Sequence, residues 1–234
     1  MNLENVNSQK EKDVRENEKI NPIFTEVLLP KEENLNSDCG PLSIEMLILT
    51  DLKERESEYS LEKIKEGLKK AKTGGTMPGD MCKLLKKLGF DVEYFSTIDW
   101  EKCADENFEN WDTKIKKVIE TSQKFGFADL INKEGLKKSA EWLSKEGKDV
   151  ITKKILSLKD IEAKLREGKR VIAIVSGGKH YVVITGIDED RVYFNNPDGI
   201  AKKEFLSHGA FLNFWGKNIG TSETIVVSLP RNIK

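Results

Sequence analysis

An α+β fold, helices first and sheet last, is the class this 234-residue sequence predicts, and three observations predict it. Apolar residues recur at helical spacing through the earlier part, as at Ile44, Leu47 and Ile48 and again at Met81, Leu84, Leu85 and Leu88. The last third changes to short β-branched runs, Val171-Ile172-Ala173-Ile174-Val175 and then Tyr181-Val182-Val183-Ile184. Tight turn sequences at 176–179 and 188–190 part these runs, and closely spaced turns join antiparallel strands. Elements segregated in this way pack as a helical half against a sheet half, with a cleft between them.

Taken in order, residues 1–20 are polar and charged and are expected to form a weakly ordered tail, with 21–234 a single domain. Residues 24–29 have the apolar character of a short strand closed by Pro30, and 31–37 form a polar loop. Asp38-Cys39-Gly40-Pro41 then opens a helix, with Pro41 at its first position, because a fixed φ suits that site and its missing N–H had no partner there. This helix is expected to fade near Arg55. Ser60 caps a second helix that buries Leu61, Ile64 and Leu68. The stretch 73–79 holds glycines but no phosphate-loop pattern follows, so it reads as a plain connection. A third helix with Cys82 beside its apolar stripe stops at Gly89, and 91–95 follows as a strand.

Residues 99 to about 156 are read as a helical insertion carrying Trp100, Phe108, Trp111, Ile115, Val118, Ile119, Trp142 and Leu143. It serves either as additional core or as a cap that shapes a cleft; Cys103, placed in a polar loop, receives no role. Ser157 with Asp160 opens a short helix that Gly168 ends. Strands follow at 171–175, 181–187 and 191–194, then a helix over 205–215 and a last strand at 224–229.

Composition narrows the chemistry. The 39 lysines and arginines nearly cancel 40 aspartates and glutamates, so there is no general field to draw nucleic acid or anionic lipid. No apolar run approaches the roughly 18–20 residues that span a bilayer, and residues 1–20 lack the apolar segment of a secretory leader. Cys39, Cys82 and Cys103 are odd in number and widely spaced, which fits a reducing compartment better than a disulfide framework or a zinc site. The expectation is therefore a cytoplasmic protein without a metal or organic cofactor.

The reactive constellation is a cysteine at a helix start and a later histidine at the head of a strand. Aligned peptide dipoles at a helix N-terminus favour a thiolate over a thiol, although a lone cysteine is more often a small buried hydrophobe. His180, in Lys179-His180-Tyr181, is one of only two histidines, and Asn195-Asn196-Pro197-Asp198-Gly199 lies beyond it. Nucleophile, base and orienting polar group are the parts of a thiol-based hydrolase. His208, among Leu206, Phe211 and Phe214, reads as structural or surface, and Trp215 as a core anchor.

These parts, in this order, resemble the papain-like cysteine peptidases of the bacteriocin-processing, double-glycine leader group. D-C-G-P-L-S-I-E-M-L-I-L at Cys39, G-K-R-V-I-A-I-V, G-K-H-Y-V-V-I-T-G-I-D at His180, V-Y-F-N-N-P-D-G and the segment ending at Trp215 carry the resemblance. It implies a papain-like α+β fold, with Cys39 as nucleophile, His180 as base and a peptide or protein as substrate. The family places an acid where Asn196 stands; an asparagine also accepts the bond that orients an imidazole, and Asp198 is the alternative third member. Its oxyanion glutamine falls at Glu33, which has no donor, so the amide of Asn34, or of Asn36, is expected to take that place. Tyr181 is expected to pack against the imidazole. The implied activity is cleavage of a peptide or isopeptide bond through an acyl-enzyme. The alternatives are a module that binds a leader peptide without cutting it and acyl transfer to an amine.

Overall fold

The computed structural model describes residues 20–30, 38–53, 58–68, 75–124, 132–178, 180–198, 201–216 and 222–229. Its helical part comprises α1 (Cys39–Asp51), α2 (Leu61–Gly67), α3 (Pro78–Lys87), α4 (Trp100–Cys103), α5 (Thr113–Lys124) and α6 (Lys133–Ser144). The strands are β1 (Ile23–Phe24), β2 (Asp91–Phe95), β3 (Ile151–Thr152), β4 (Arg170–Val175), β5 (His180–Ile187), β6 (Arg191–Asn196), β7 (Lys202–Ser207) and β8 (Glu223–Ser228). Two more helices, α7 (Leu158–Arg166) and α8 (His208–Phe214), flank the later strands.

One sheet runs in the order β3-β2-β8-β4-β5-β6-β7, with β1 paired to β5 off this path. All its pairings are antiparallel except β2 with β3. The halves are thus less separate than expected, because β2, from the helical part, pairs along its whole length with β8 near the C-terminus. Alternation along the strands serves two cores. Ile172, Ile174, Tyr181, Val183, Ile225 and Val227 face the α1–α6 side. Val171, Ala173, Val175, Val182, Ile184 and Val226 face the side of α7 and α8. Residues 171–175 are accordingly buried on both faces, as a continuous apolar run predicts.

Helix α1 lies at the centre of the first core. Every residue from Cys39 to Leu49 is buried, polar ones included, so it has no solvent face and the stripe of Ile44, Leu47 and Ile48 describes only part of its packing. The buried Ser43 hydroxyl donates to Cys39 O at 2.7 Å, which satisfies it inside the helix. Trp100, Cys103, Trp111, Ile115, Ile119, Leu136 and Leu143 of the 99–156 block share that core with α1. Cys103 ends α4 fully buried and is not in a polar loop.

Several expected elements hold in detail. The Ser60 hydroxyl accepts from Lys63 N, Ser157 and Asp160 form a reciprocal capping box, and Gly89 and Gly168 end their helices at φ +96° and +75°. Two differ. Of residues 24–29 only Phe24 is in a strand; beyond Thr25 the backbone finds other partners, Leu28 N donating to Thr50 Oγ1 and Val27 O accepting from Asn195 Nδ2. The helix expected over 205–215 begins at His208, because 202–207 is β7, pairing Phe205 with Tyr193 of β6. Ser207 then caps α8 through Ala210 N. Trp215 is fully buried, its indole donating to Glu223 O at 2.9 Å, and so is a core anchor.

Candidate active site

Cys39 is the first residue of α1, with Asp38 as N-cap, and Pro41 therefore sits two positions further in than its preference predicts. Leu42 N donates to Asp38 O, the first bond of the helix. The Asp38 carboxylate is buried and pairs with Lys65 Nζ at 2.7 Å, which offsets much of the cost of a buried charge beside the thiol. Gly40 is needed for close approach: a Cβ there would stand 2.6 Å from both Cβ and Oγ1 of Thr76. That absence of a side chain brings the 75–77 segment against the first turn of α1.

Cys39 is 4% exposed and borders a cavity of about 120 Å³. Helix α1 packs against β5, the strand that His180 opens. Gly178, two residues before His180, and Tyr181, one after it, both line the same cavity as Cys39. The turn that delivers His180 uses left-handed backbone at Ser176, Gly177 and Gly178, with φ of 52°, 68° and 85°. Two glycines there let the turn between β4 and β5 reverse the chain without strain at those positions.

Three adjacent strands then form a polar chain. His180 Nε2 lies 2.7 Å from Asn196 Oδ1, from β5 to β6. Asn196 Nδ2 donates to Glu204 Oε2 of β7 at 2.7 Å, and Glu204 Oε1 pairs with Lys202 Nζ at 2.6 Å. Because a carboxylate can only accept, this bond fixes which end of the Asn196 amide is nitrogen and turns Oδ1 toward the imidazole. Asn196 Oδ1 also accepts Asp198 N at 3.1 Å. Asp198 itself is exposed and enters the chain through its backbone. Partial burial opposes the Glu204 charge, but the bonds from Lys202 and Asn196, with His180 nearby, hold its carboxyl below the ordinary range.

Tyr181 does not pack on the imidazole as expected. Successive strand residues point to opposite faces, so Tyr181 turns toward the helices and donates its hydroxyl to Thr76 O at 2.8 Å. Burial drives its phenol well above its ordinary value, so it stays protonated. The other cysteines are unsuited to nucleophilic work: burial pushes the Cys82 thiol far up and that of Cys103 to about 12. His208 opens α8, where Nε2 stands 3.0 Å from Asp188 O. Glu33, Asn34 and Asn36 lie outside the described residues. Among the described residues no cluster of three His, Cys, Asp or Glu could hold a metal ion, and no helix is long and apolar enough to cross a membrane.

Two acidic residues went unnoticed in the sequence. Glu204 was hidden because its segment read as the approach to a helix; once 202–207 is a strand, alternation puts Glu204 on the face of Asn196. Glu223, at the head of β8, is 4% exposed and lines the cavity near Cys39. Its Oε1 accepts from the hydroxyls of Tyr94 and Ser96, and burial raises its carboxyl to about 7. A carboxylate so deeply buried is rare in a core, but position alone along a strand does not announce it.

The Peptidase_C39 like family matches residues 26–222. The chain is similar in structure to the peptidase domain of Streptococcus ComA, a bifunctional ABC transporter involved in quorum sensing. That match has 15% identity and TM-score 0.43, and covers 87% of this chain and 98% of that one. It is also similar to a double glycine motif protease from an AMS/PCAT transporter, solved in complex with the leader peptide. Here the identity is 12% and the TM-score 0.46, over 91% of this chain and 100% of that one. No curated protein sequence matches.

Proposed function

Because the chain belongs to the Peptidase_C39 like family, we propose that it is a cysteine peptidase that cleaves a peptide or isopeptide bond through Cys39, His180 and Asn196. With Nε2 of His180 donating to Asn196 Oδ1, Nδ1 is the nitrogen left to take the thiol proton. The Cys39 thiolate attacks the carbonyl carbon, and the pair of electrons from the C=O bond moves to oxygen. Collapse of that intermediate breaks the C–N bond as the imidazolium gives its proton to the leaving amine, leaving a thioester on Cys39. Water, deprotonated by His180, then releases the acid and restores the thiol. The Cys39 backbone N–H is one oxyanion donor, and Asn34 is proposed as the other. Glu204 acts as a positioning residue that holds the Asn196 amide.

The observation that carries this reading is the 2.7 Å contact of His180 with Asn196, at the head of the strand that packs against α1, the helix Cys39 opens. Incubating the chain with a peptide library and identifying products by mass tests it. Cleavage by wild type that disappears in Cys39→Ala and in His180→Ala is the expected result; products unchanged in Cys39→Ala refute it. A second reading, a module that binds a peptide without cutting it, draws support from Glu33 at the family's amide position and from the burial of Cys39. It predicts a bound library peptide recovered intact from wild type.

A further inference from the structure

Asp38 stands at the N-cap of α1, the position from which a short carboxylate ordinarily accepts from the first free N–H groups of a helix. Its side chain makes no such bond. The carboxylate is 2% exposed and reaches Lys65 Nζ of α2 at 2.7 Å. Helix α2 packs on α1, and Lys65 lies in its last turn. A capping carboxylate is thus turned away from its own helix toward an ammonium on another. The next residue, Cys39, gives that exchange a purpose. A buried anion one peptide away opposes ionisation of a thiol. Neutralised, it leaves the start of α1 free to favour the thiolate.

The remaining charges around Cys39 sharpen the need. Glu223 of β8 lines the cavity that Cys39 borders, with Lys114 and Asp112 acting on it in opposite senses. Asp80 of α3 acts with Cys39 and Glu223 on the Tyr181 phenol, which burial keeps neutral. Strand β5 also brings His180. Helix α1 itself holds the buried Glu45 and, at its far end, Asp51 paired with Arg170. The wall formed by α4, α5 and α6 is uncharged there, with Trp100, Ile115, Val118, Ile119 and Leu136. Acids outnumber bases in this setting, so a cation bonded directly to the carboxylate beside the thiol has the more effect.

We propose that Lys65 is a positioning residue for the nucleophile: by neutralising Asp38 it lets the Cys39 thiol ionise. The proposal rests on the peptidase reading above for the use of that thiolate. Lys65 acts through Asp38 and is not itself a reacting group. An ion pair that served stability alone would change unfolding when broken and leave the titration of Cys39 where it was.

The test is iodoacetamide alkylation of Cys39 in the full chain, followed by mass spectrometry from pH 5 to pH 10 and read as the midpoint of the profile. Cys39 is 4% exposed; limited access scales the rate at every pH alike, so the midpoint reports ionisation. Lys65→Met keeps the stem and removes the charge, and should raise the midpoint by about one pH unit, a ~10-fold loss of thiolate at pH 6. Lys65→Arg, which also pairs with a carboxylate, should bring the rate at pH 6 back to within ~3-fold of wild type. Asp38→Asn leaves the ammonium without this anion and should lower the midpoint; combined with Lys65→Met it should return toward wild type, since both charges are then gone. A Lys65→Met midpoint equal to that of wild type, or one that Lys65→Arg fails to correct, overturns the proposal. Should Lys65→Met fail to fold by circular dichroism, Asp38→Asn decides, and a midpoint unchanged or raised refutes it. Peptide cleavage is scored separately: wild type that cuts nothing while the midpoints move as stated ends the peptidase reading and keeps the effect of Lys65 on the thiol. Cleavage with midpoints that do not move does the reverse.

Discussion

As the proposed third member, Asn196 is poor by charge and good by geometry. A free asparagine amide can rotate and present either end to an imidazole; this one is held by Glu204, which accepts from Nδ2 at 2.7 Å. The negative charge absent at 196 thus reappears one strand away, acting through an amide. Glu204→Ala should lower kcat by about 10-fold to 10²-fold with KM little changed, because a misplaced orienting group costs rate without removing a substrate contact. Glu204→Gln should restore most of the loss, since its Oε1 still accepts from Asn196. Equal loss in both variants, or a rise in KM alone, would remove Glu204 from the site. Cys39 and His180 were visible in the sequence as rare residue types at a helix start and a strand start, and Asn196 through the resemblance, as the position of the family's acid. Glu204 was not, as one glutamate in a chain with 40 acidic residues carries no signal until its strand partner is known.

At the scale of elements, what the sequence revealed and what it concealed have separate physical causes. Local rules decided the capping box at Ser157, the stops at Gly89 and Gly168, and the buried run of β4, all of which act within a few residues. The short extent of β1 and the strand character of 202–207 depend on partners far along the chain: Thr50 and Asn195 for the first, β6 for the second. Helix α1 shows the same limit, since burial on every side erases the polar face that periodicity needs. Its fit against the 75–77 segment gives a prediction at this scale. Gly40→Ala inserts a Cβ 2.6 Å from Thr76 and should cost about 1–3 kcal/mol in denaturant unfolding, with Cys39 alkylation altered as the cavity wall shifts. Unchanged stability and unchanged alkylation would mean that the approach is not tight.

For the whole molecule, the feature that ties the halves together is also its least comfortable one. Glu223 opens β8, which lies between β2 and β4, and its carboxyl is enclosed by Tyr94, Ser96 and Cys82, with Asp112 and Lys114 acting from the α5 side. Burial raises it from 4.5 to about 7 against the bonds of Tyr94 and Ser96, which favour its charge. A folded value above the unfolded one gives stability that is full below about pH 4.5 and lost as pH rises through about 7. A shift of that size corresponds to roughly 3 kcal/mol. Urea unfolding from pH 5 to pH 8 should therefore show wild type losing up to about 3 kcal/mol relative to Glu223→Gln. Parallel curves would show that the charge is accommodated without penalty.

The central claim is that a thiol at the start of α1 and an imidazole at the start of β5 act together. Iodoacetamide alkylation of the native chain, followed cysteine by cysteine by mass spectrometry from pH 5 to pH 9, addresses it without any substrate. The account predicts that Cys39 reacts at least ~10-fold faster than Cys82 and Cys103 at pH 6, where an unaided thiol is almost entirely protonated, and that His180→Ala abolishes this advantage. A Cys39 no faster than the other two, or one indifferent to loss of His180, would contradict it.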